Sequence, residues 1–229
     1  MSPPAGELAP QALAFAVRCH SGHRRGSDGR PFITHPLEVA RLLRDAGCSE
    51  DVVAAGLLHD VVRDAHVTFG ELERRFGEEV AALVQGVTDN SCVESYRLRK
   101  QTLRDQVRFV GGDVALLFAA DKIAEVRDWP RDVGREQSRL AQLPPDSRAR
   151  RYIEQHRDMR LEHYRASLAM LEHVAPGHPL VVQLAAELKR CTAQQPAPAP
   201  EPQRVPAPKG PGVRRAPDRT GAVRRSVSP

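Results

Sequence analysis

The chain has 229 residues, 41% of them hydrophobic, enough for one good core plus an appendage. Its net charge of +5 is unevenly spread: from Thr192 onward seven Lys/Arg face two acids, which leaves residues 1–191 with 27 basic and 27 acidic side chains. The basic excess therefore belongs to the tail and does not argue for nucleic-acid binding by the folded part. No run approaches the ~18 consecutive apolar residues of a membrane span.

Glu7 to His20 places Leu8, Leu13, Phe15, Ala16 and Val17 at helical spacing, which predicts a first helix. Ser21 to Pro31 is a loop of turn-forming and basic residues. Thr34 is expected to be an N-cap, with Pro36 in the first turn and His35 at the helix start. Gly47 ends that helix, and Ser49 with Asp51 opens the next.

That next segment is apolar almost without a break from Val52 to Val62, so it must be buried on nearly all sides. His59 and Asp60 stand near its end. Neighbouring helical side chains diverge by ~100°, so the pair is not expected to satisfy itself, and buried polar groups need partners. Further on, Thr68 opens a short helix to Arg75, and Val80 to Thr88 forms another. Glu94 to Val110 is a helix dense in Arg and Lys. After Gly111-Gly112, a second nearly all-apolar helix carries Asp121. Trp129-Pro130 is expected to end it, with Arg131 to Ser147 irregular. Arg150 to Val174 is a long amphipathic helix, on which His156, His163 and His173 are read as surface residues, and His178-Pro179 starts a last one.

No alternating strand pattern of useful length occurs, so the fold is expected to be all-α. Nine of the 19 prolines fall after Thr192, among no large apolar residues but isolated valines. Residues 192–229 are therefore expected to be a disordered basic tail. Four cysteines without a CxxC pair suit buried free thiols in a reducing compartment. With no signal pattern at the N-terminus, a cytoplasmic protein is expected.

His35, His59, Asp60 and Asp121 offer two imidazoles and two carboxylates. Such a set suits a divalent transition metal with positions left open for water and substrate. The same residues also fit two capped helix ends and a core histidine.

The stretches His20-Ser-Gly-His-Arg-Arg, Asp28-Gly-Arg-Pro-Phe-Ile-Thr-His-Pro36, Ala55-Gly-Leu-Leu-His-Asp-Val-Val-Arg-Asp64, Phe76-Gly-Glu-Glu-Val-Ala-Ala-Leu-Val84 and Ala119-Ala-Asp-Lys122 follow one another in a known order. From Ala14 to Trp129 the chain resembles the HD-domain phosphohydrolases. Within them it is most similar to the RelA/SpoT-type and small metazoan-type hydrolases of the alarmone (p)ppGpp. The resemblance implies an all-α HD-type bundle over residues 1–191, with core motifs in 14–129 and extra helices in 148–191.

It further implies His35, His59, Asp60 and Asp121 as metal ligands, manganese as the usual ion, and Asp64 as the residue that positions the attacking water. Arg24, Arg25, Lys100 and Lys122 match basic positions around a guanosine tetra- or pentaphosphate. Too little chain with globular composition follows for a synthetase domain, so alarmone synthesis is not expected.

Two departures bear on activity. Arg63 stands where the family has glutamate, and Glu125 where it commonly has asparagine. Four residues after His59, Arg63 is expected on the same helical face. It cannot act as a general base; there it could grip a phosphate, pair with Asp64 or Glu125, or turn to solvent. The implied activity is therefore hydrolysis of the (p)ppGpp 3′-pyrophosphate. The alternatives are a weakened or inactive nucleotide- or metal-binding module, and a phosphohydrolase of another metabolite.

Overall fold

The computed structural model describes residues 6–26 and 28–193; the expected disorder after Thr192 falls almost wholly outside the described residues. Ten helices follow in order: α1 (Leu8–Cys19), α2 (Thr34–Asp45), α3 (Glu50–Leu58), α4 (Val61–Ala65), α5 (Phe69–Phe76), α6 (Glu78–Val87), α7 (Tyr96–Val110), α8 (Gly112–Leu140), α9 (Arg148–Val174) and α10 (Pro179–Ala193). Among the described residues there is no strand, only an isolated bridge between Arg24 and Pro31. The all-α expectation is borne out. None of these helices is long and apolar enough to cross a membrane.

The centre of the bundle is α3. Every residue from Val52 to Leu58 is buried, because α1, α2, α6 and α8 enclose the helix. That explains why its sequence is apolar all round and not along one stripe. Gly56 permits the closest of these contacts: a Cβ there would meet Leu43 Cδ1 of α2 at 2.6 Å. At its start, Ser49 Oγ accepts from the Val52 amide at 3.4 Å. Thr68, Ser95 and Ser147 cap α5, α7 and α9 in the same way.

Thr34 is a correction. It is the first residue of α2 and Ile33 holds the cap position. The Thr34 hydroxyl donates to the Pro31 carbonyl at 2.9 Å, so the loop's own acceptor captures the group expected to cap the helix.

A larger correction concerns α8, which does not end at Trp129-Pro130 but continues to Leu140. Proline removes one donor, and the carbonyl it leaves unpaired is that of Val126, four residues back. The Cys191 thiol of α10 donates to that oxygen at 3.3 Å. The residues beyond are held by α9: the Trp129 ring packs edge-on against Tyr164 at 5.7 Å, Arg160 lies over its face at 4.9 Å, and Arg160 also pairs with Asp132 and Glu136. These partners are distant in sequence, which is why local patterning did not show the helix. Only Ala141 to Ser147 remains outside helices in the stretch read as irregular.

The thiols are all free, but the expectation that they are buried holds for Cys191 alone; Cys92 is exposed and Cys19 and Cys48 are half-buried. His163 is a third correction. It is 3% exposed, because α7 covers the side of α9 on which it stands.

Where α6 meets α8, a Cβ on Gly86 would stand 2.8 Å from both γ-methyls of Val114. A β-branched side chain has little freedom to turn away. Gly86→Ala is therefore expected to lower stability by about 1–2 kcal/mol in chemical denaturation, overpacking outweighing the gain in helix propensity. Adding Val114→Ala should recover part of that loss, which a double-mutant cycle would read as a favourable coupling.

Candidate metal centre and its cleft

Three segments of backbone deliver the four ionisable residues to one place. His35 is in the first turn of α2, His59 and Asp60 form the junction between α3 and α4, and Asp121 is in the buried middle of α8. His35 Nε2 lies 3.2 Å from His59 Nε2 and 3.2 Å from Asp121 Oδ1. Asp60 Oδ2 is 3.2 Å from His59 Nε2 and 3.7 Å from His35 Nε2, and His59 Nε2 is 3.7 Å from Asp121 Oδ1.

The His59–Asp60 contact corrects the expectation that these neighbours diverge. The apolar helix stops at Leu58 and restarts at Val61, and the interruption turns the Asp60 side chain back onto the imidazole. Asp60 itself has φ −98° and ψ −10°. Arg63, three residues after Asp60, meets that acid and borders the same small void as His59.

The donor set fits a divalent ion. With ligand distances of ~2.1 Å, donors on one ion stand ~3.0–3.4 Å apart in octahedral or tetrahedral geometry. The separations here cluster at that value. His59 Nδ1 is 2.9 Å from the Gly56 carbonyl, so Nδ1 carries the proton and Nε2 directs its lone pair into the cluster. This is the usual way an outer contact fixes a metal-ligating histidine. The chemistry of the set, two imidazoles with carboxylate, suits manganese-like transition ions as well as zinc. An adjoining void of about 30 Å³ touches His59, Asp60 and Asp121, room for a small ion or a water.

Without an ion, protons have to compensate the charges. Burial disfavours charge on His59, but the Asp60 and Asp121 carboxylates raise its pKa to about 9. Burial likewise opposes ionisation of both acids. Nevertheless Asp60 is held below the ordinary carboxylate range by His59 and Arg63, and Asp121 by Lys122 and the imidazoles.

A second ring of charges surrounds these four. The half-exposed Arg63 guanidinium bonds Asp60 Oδ1 at 2.8 Å and Asp64 Oδ1 at 2.8 Å, with Asp64 Oδ2 at 3.4 Å. Of the options open from sequence, it takes the pairing with Asp64, and it meets Asp60 where Glu125 was the other candidate. Lys122 is buried, with its ammonium 2.9 Å from Asp121 Oδ2 and 2.7 Å from Glu125 Oε2. It is a partner behind the acid and does not line the large cleft.

That cleft, of about 550 Å³, opens beside His35 and Asp60, a volume within the ~300–1,000 Å³ of small-molecule sites. Arg25, Arg63 and Lys100 line it. Lys100 pairs with Asp89 at 2.8 Å. Arg25 is anchored by Asp128, which also faces Arg30 and Arg131. Arg24 is apart, exposed and donating to the Gly29 carbonyl at 2.9 Å. Asp64 lies beside the cleft without lining it.

Tyr96, Asp128, His163 and Tyr164 also line the cleft and carried no sequence signal as site residues. Tyr164 reads as one more member of an apolar stripe, and Asp128 stands out only by adjoining the buried Trp129. His20 is 3% exposed with neither ring nitrogen hydrogen-bonded; its ring packs at a tilt against Phe32, centroids 4.7 Å apart.

Because His59 holds its proton up to about pH 9 and an ion needs the neutral imidazole, proton and metal compete. Below that pH the affinity of metal-free protein for a divalent ion should rise as pH increases, by about tenfold per unit for one displaced proton. Calorimetry in buffers of different ionisation enthalpy should register the proton released. His59→Ala and Asp121→Ala should each abolish stoichiometric binding in metal analysis.

Comparison with known proteins places this geometry. The family model described as HD domain matches residues 12–146. A Danio rerio protein named guanosine-3′,5′-bis(diphosphate) 3′-pyrophosphohydrolase MESH1 is 37% identical over 124 residues, which are 53% of this chain and 68% of that one. A Synechocystis protein named probable guanosine-3′,5′-bis(diphosphate) 3′-pyrophosphohydrolase is 51% identical over 78 residues, 34% of this chain but only 10% of the relative. In fold, the chain is similar to a solved metazoan ortholog of SpoT, described as hydrolysing ppGpp, with a TM-score of 0.64 at 24% identity over 83% of this chain and 98% of that one. The family match spans more than half of the residues and includes all four clustered side chains: the chain belongs to the HD domain family.

Proposed function

We propose that the protein is a metal-dependent phosphohydrolase that removes the 3′-pyrophosphate of guanosine tetra- or pentaphosphate. One observation carries this reading. Two imidazoles and two carboxylates converge beside a cleft that His35 and Asp60 border and that Arg25, Arg63 and Lys100 line. Phosphoryl chemistry needs both parts, a cation beside the scissile group and basic side chains around the remaining phosphates. The names of the Danio rerio and Synechocystis relatives support the same substrate.

His35, His59, Asp60 and Asp121 would hold the ion, manganese in this reading, with His59 kept in its ligating tautomer by Gly56. When bound, the ion supplies a Lewis acid for the phosphate and acidifies a water beside it. Lys122 orients Asp121 from behind through its second oxygen. Arg25 and Lys100 donate to phosphate oxygens from the cleft lining, and Arg24 adds positive charge from the same loop as Arg25. Asp64 orients the attacking water once Arg63 leaves it, and the Arg63 guanidinium is then free to bind the incoming phosphate in bidentate fashion.

The same Arg63 favours a second reading, a nucleotide-binding module with little turnover. Both oxygens of Asp64 and the outer oxygen of Asp60 are engaged by it, and loss of an acid–base partner costs ~10²–10⁴-fold in rate.

Purified protein with manganese should release pyrophosphate from ppGpp, and Asp60→Ala should abolish the release; activity that survives this change would overturn the assignment. Arg63→Glu should raise kcat by about tenfold or more if the missing carboxylate limits the rate. If instead wild type binds ppGpp without turnover and Arg63→Glu gains nothing, the module reading holds.

A further inference from the structure

His163 is a residue of the cleft that neither the metal centre nor the phosphate ligands account for. It is on α9 in the wall beside Tyr96, Lys100 and Tyr164, 3% exposed. Its Nδ1 is 2.7 Å from Arg104 Nη1 and 3.4 Å from Ser167 Oγ. A guanidinium can only donate, so Nδ1 must present its lone pair and the ring proton must be on Nε2. That Nε2 is buried and has no hydrogen-bond partner. The ring is held in orientation by Phe118, with centroids 6.3 Å apart, and by Tyr164 at 5.9 Å.

A buried donor without an acceptor is unfavourable and calls for a partner that the chain itself does not supply here. We propose that His163 is a specificity-determining donor of the cleft, a neutral imidazole whose Nε2–H binds a phosphate oxygen of the nucleotide. This rests on the nucleotide reading above. Burial first, and then Lys122 and Lys100 with Arg104, oppose a second proton and lower the pKa to about 2, with Asp121 pulling the other way. The residue therefore stays a donor of one fixed tautomer across the working pH range. Lys100 lines the same cleft and its charge acts on His163, so a phosphate oxygen, which an ammonium and a neutral N–H can share, is the matching acceptor. The arrangement explains why Arg104, alone in the basic run of α7, turns inward onto a histidine and not onto an acid.

The full-length protein with ¹⁵N-labelled histidine gives the test by long-range proton–nitrogen correlation, with guanosine 5′-diphosphate and inorganic pyrophosphate as separate probes. One ring, missing from the spectrum of His163→Gln or His163→Phe, should be Nε2-protonated, should not titrate between pH 5.5 and 8, and should shift when at least one probe is added. His163→Phe keeps the ring volume without the donor and should weaken that probe, and raise KM for ppGpp, by about tenfold with a smaller change in kcat. His163→Gln, which keeps a donor, should recover part of this. A titrating or Nδ1-protonated ring would overturn the proposal, as would a ring left unmoved while the His35 and His59 signals shift. Undiminished probe binding by a folded His163→Phe would do so too. If neither probe moves any of these histidines, the nucleotide reading falls and this inference falls with it. The wild-type spectrum decides even if the phenylalanine variant does not fold.

Discussion

Two imidazole nitrogens 3.2 Å apart, each facing a carboxylate oxygen, impose the main constraint on this molecule. His35, His59 and Asp60 are each 5–6% exposed, so water cannot compensate them and the protein or an ion must. The fold answers by holding them from three directions. Backbone rigidity comes from α3, whose side chains are buried on every face and whose Gly56 lets α2 approach closely enough to bring His35 opposite His59. Asp121 arrives on α8, a helix kept continuous through Pro130 by a thiol from α10. A cluster of this kind needs all three helices in register, because a shift of 1 Å would separate donors that one ion must share.

The charges around the cluster follow from the same constraint. Each acid in it uses one oxygen inward and one outward. Asp60 turns its outer oxygen to Arg63, and Asp121 turns its own to Lys122. These cations neutralise what the interior cannot solvate, at the cost of being already occupied when a substrate arrives. Lys122, fully enclosed between Asp121 and Glu125, has no freedom to leave. Arg63 is half-exposed and has a choice between the acids and a phosphate. Two pairs with similar distances thus differ in how far each cation depends on its acid, since Arg63 is open to water and Lys122 is not.

Much of the site was legible in the sequence, because its signals are local. Uniform apolarity from Val52 to Val62 demands burial, and an imidazole with a carboxylate in such a run demands partners. The order of motifs supplied His35 and Asp121 through a family resemblance. The misreadings came wherever a distant residue decides. Pro130 is a helix breaker in any local reading, and no property of residues 126–134 reveals that Cys191 waits for the Val126 carbonyl. His163 looks like a surface histidine until α7 is laid across it. Thr34 has the side chain of a cap, but the Pro31 carbonyl takes its hydroxyl.

The sequence by itself determined that the chain is helical, which segment is central, and that His35, His59, Asp60 and Asp121 are candidates for one centre. Helical period and hydrophobic content are properties of short windows and suffice for the first two, while the grouping of the four residues rests on the family resemblance. Only the tertiary structure decided which charges are free. Lys122 and Lys100, equal as lysines in the sequence, are respectively sealed behind an acid and set in a cleft wall. Arg24 and Arg25, adjacent in one loop, face a carbonyl and a buried carboxylate. Desolvation and pairing depend on what the rest of the chain places within about 4 Å, and that distance is set by packing between helices far apart in sequence.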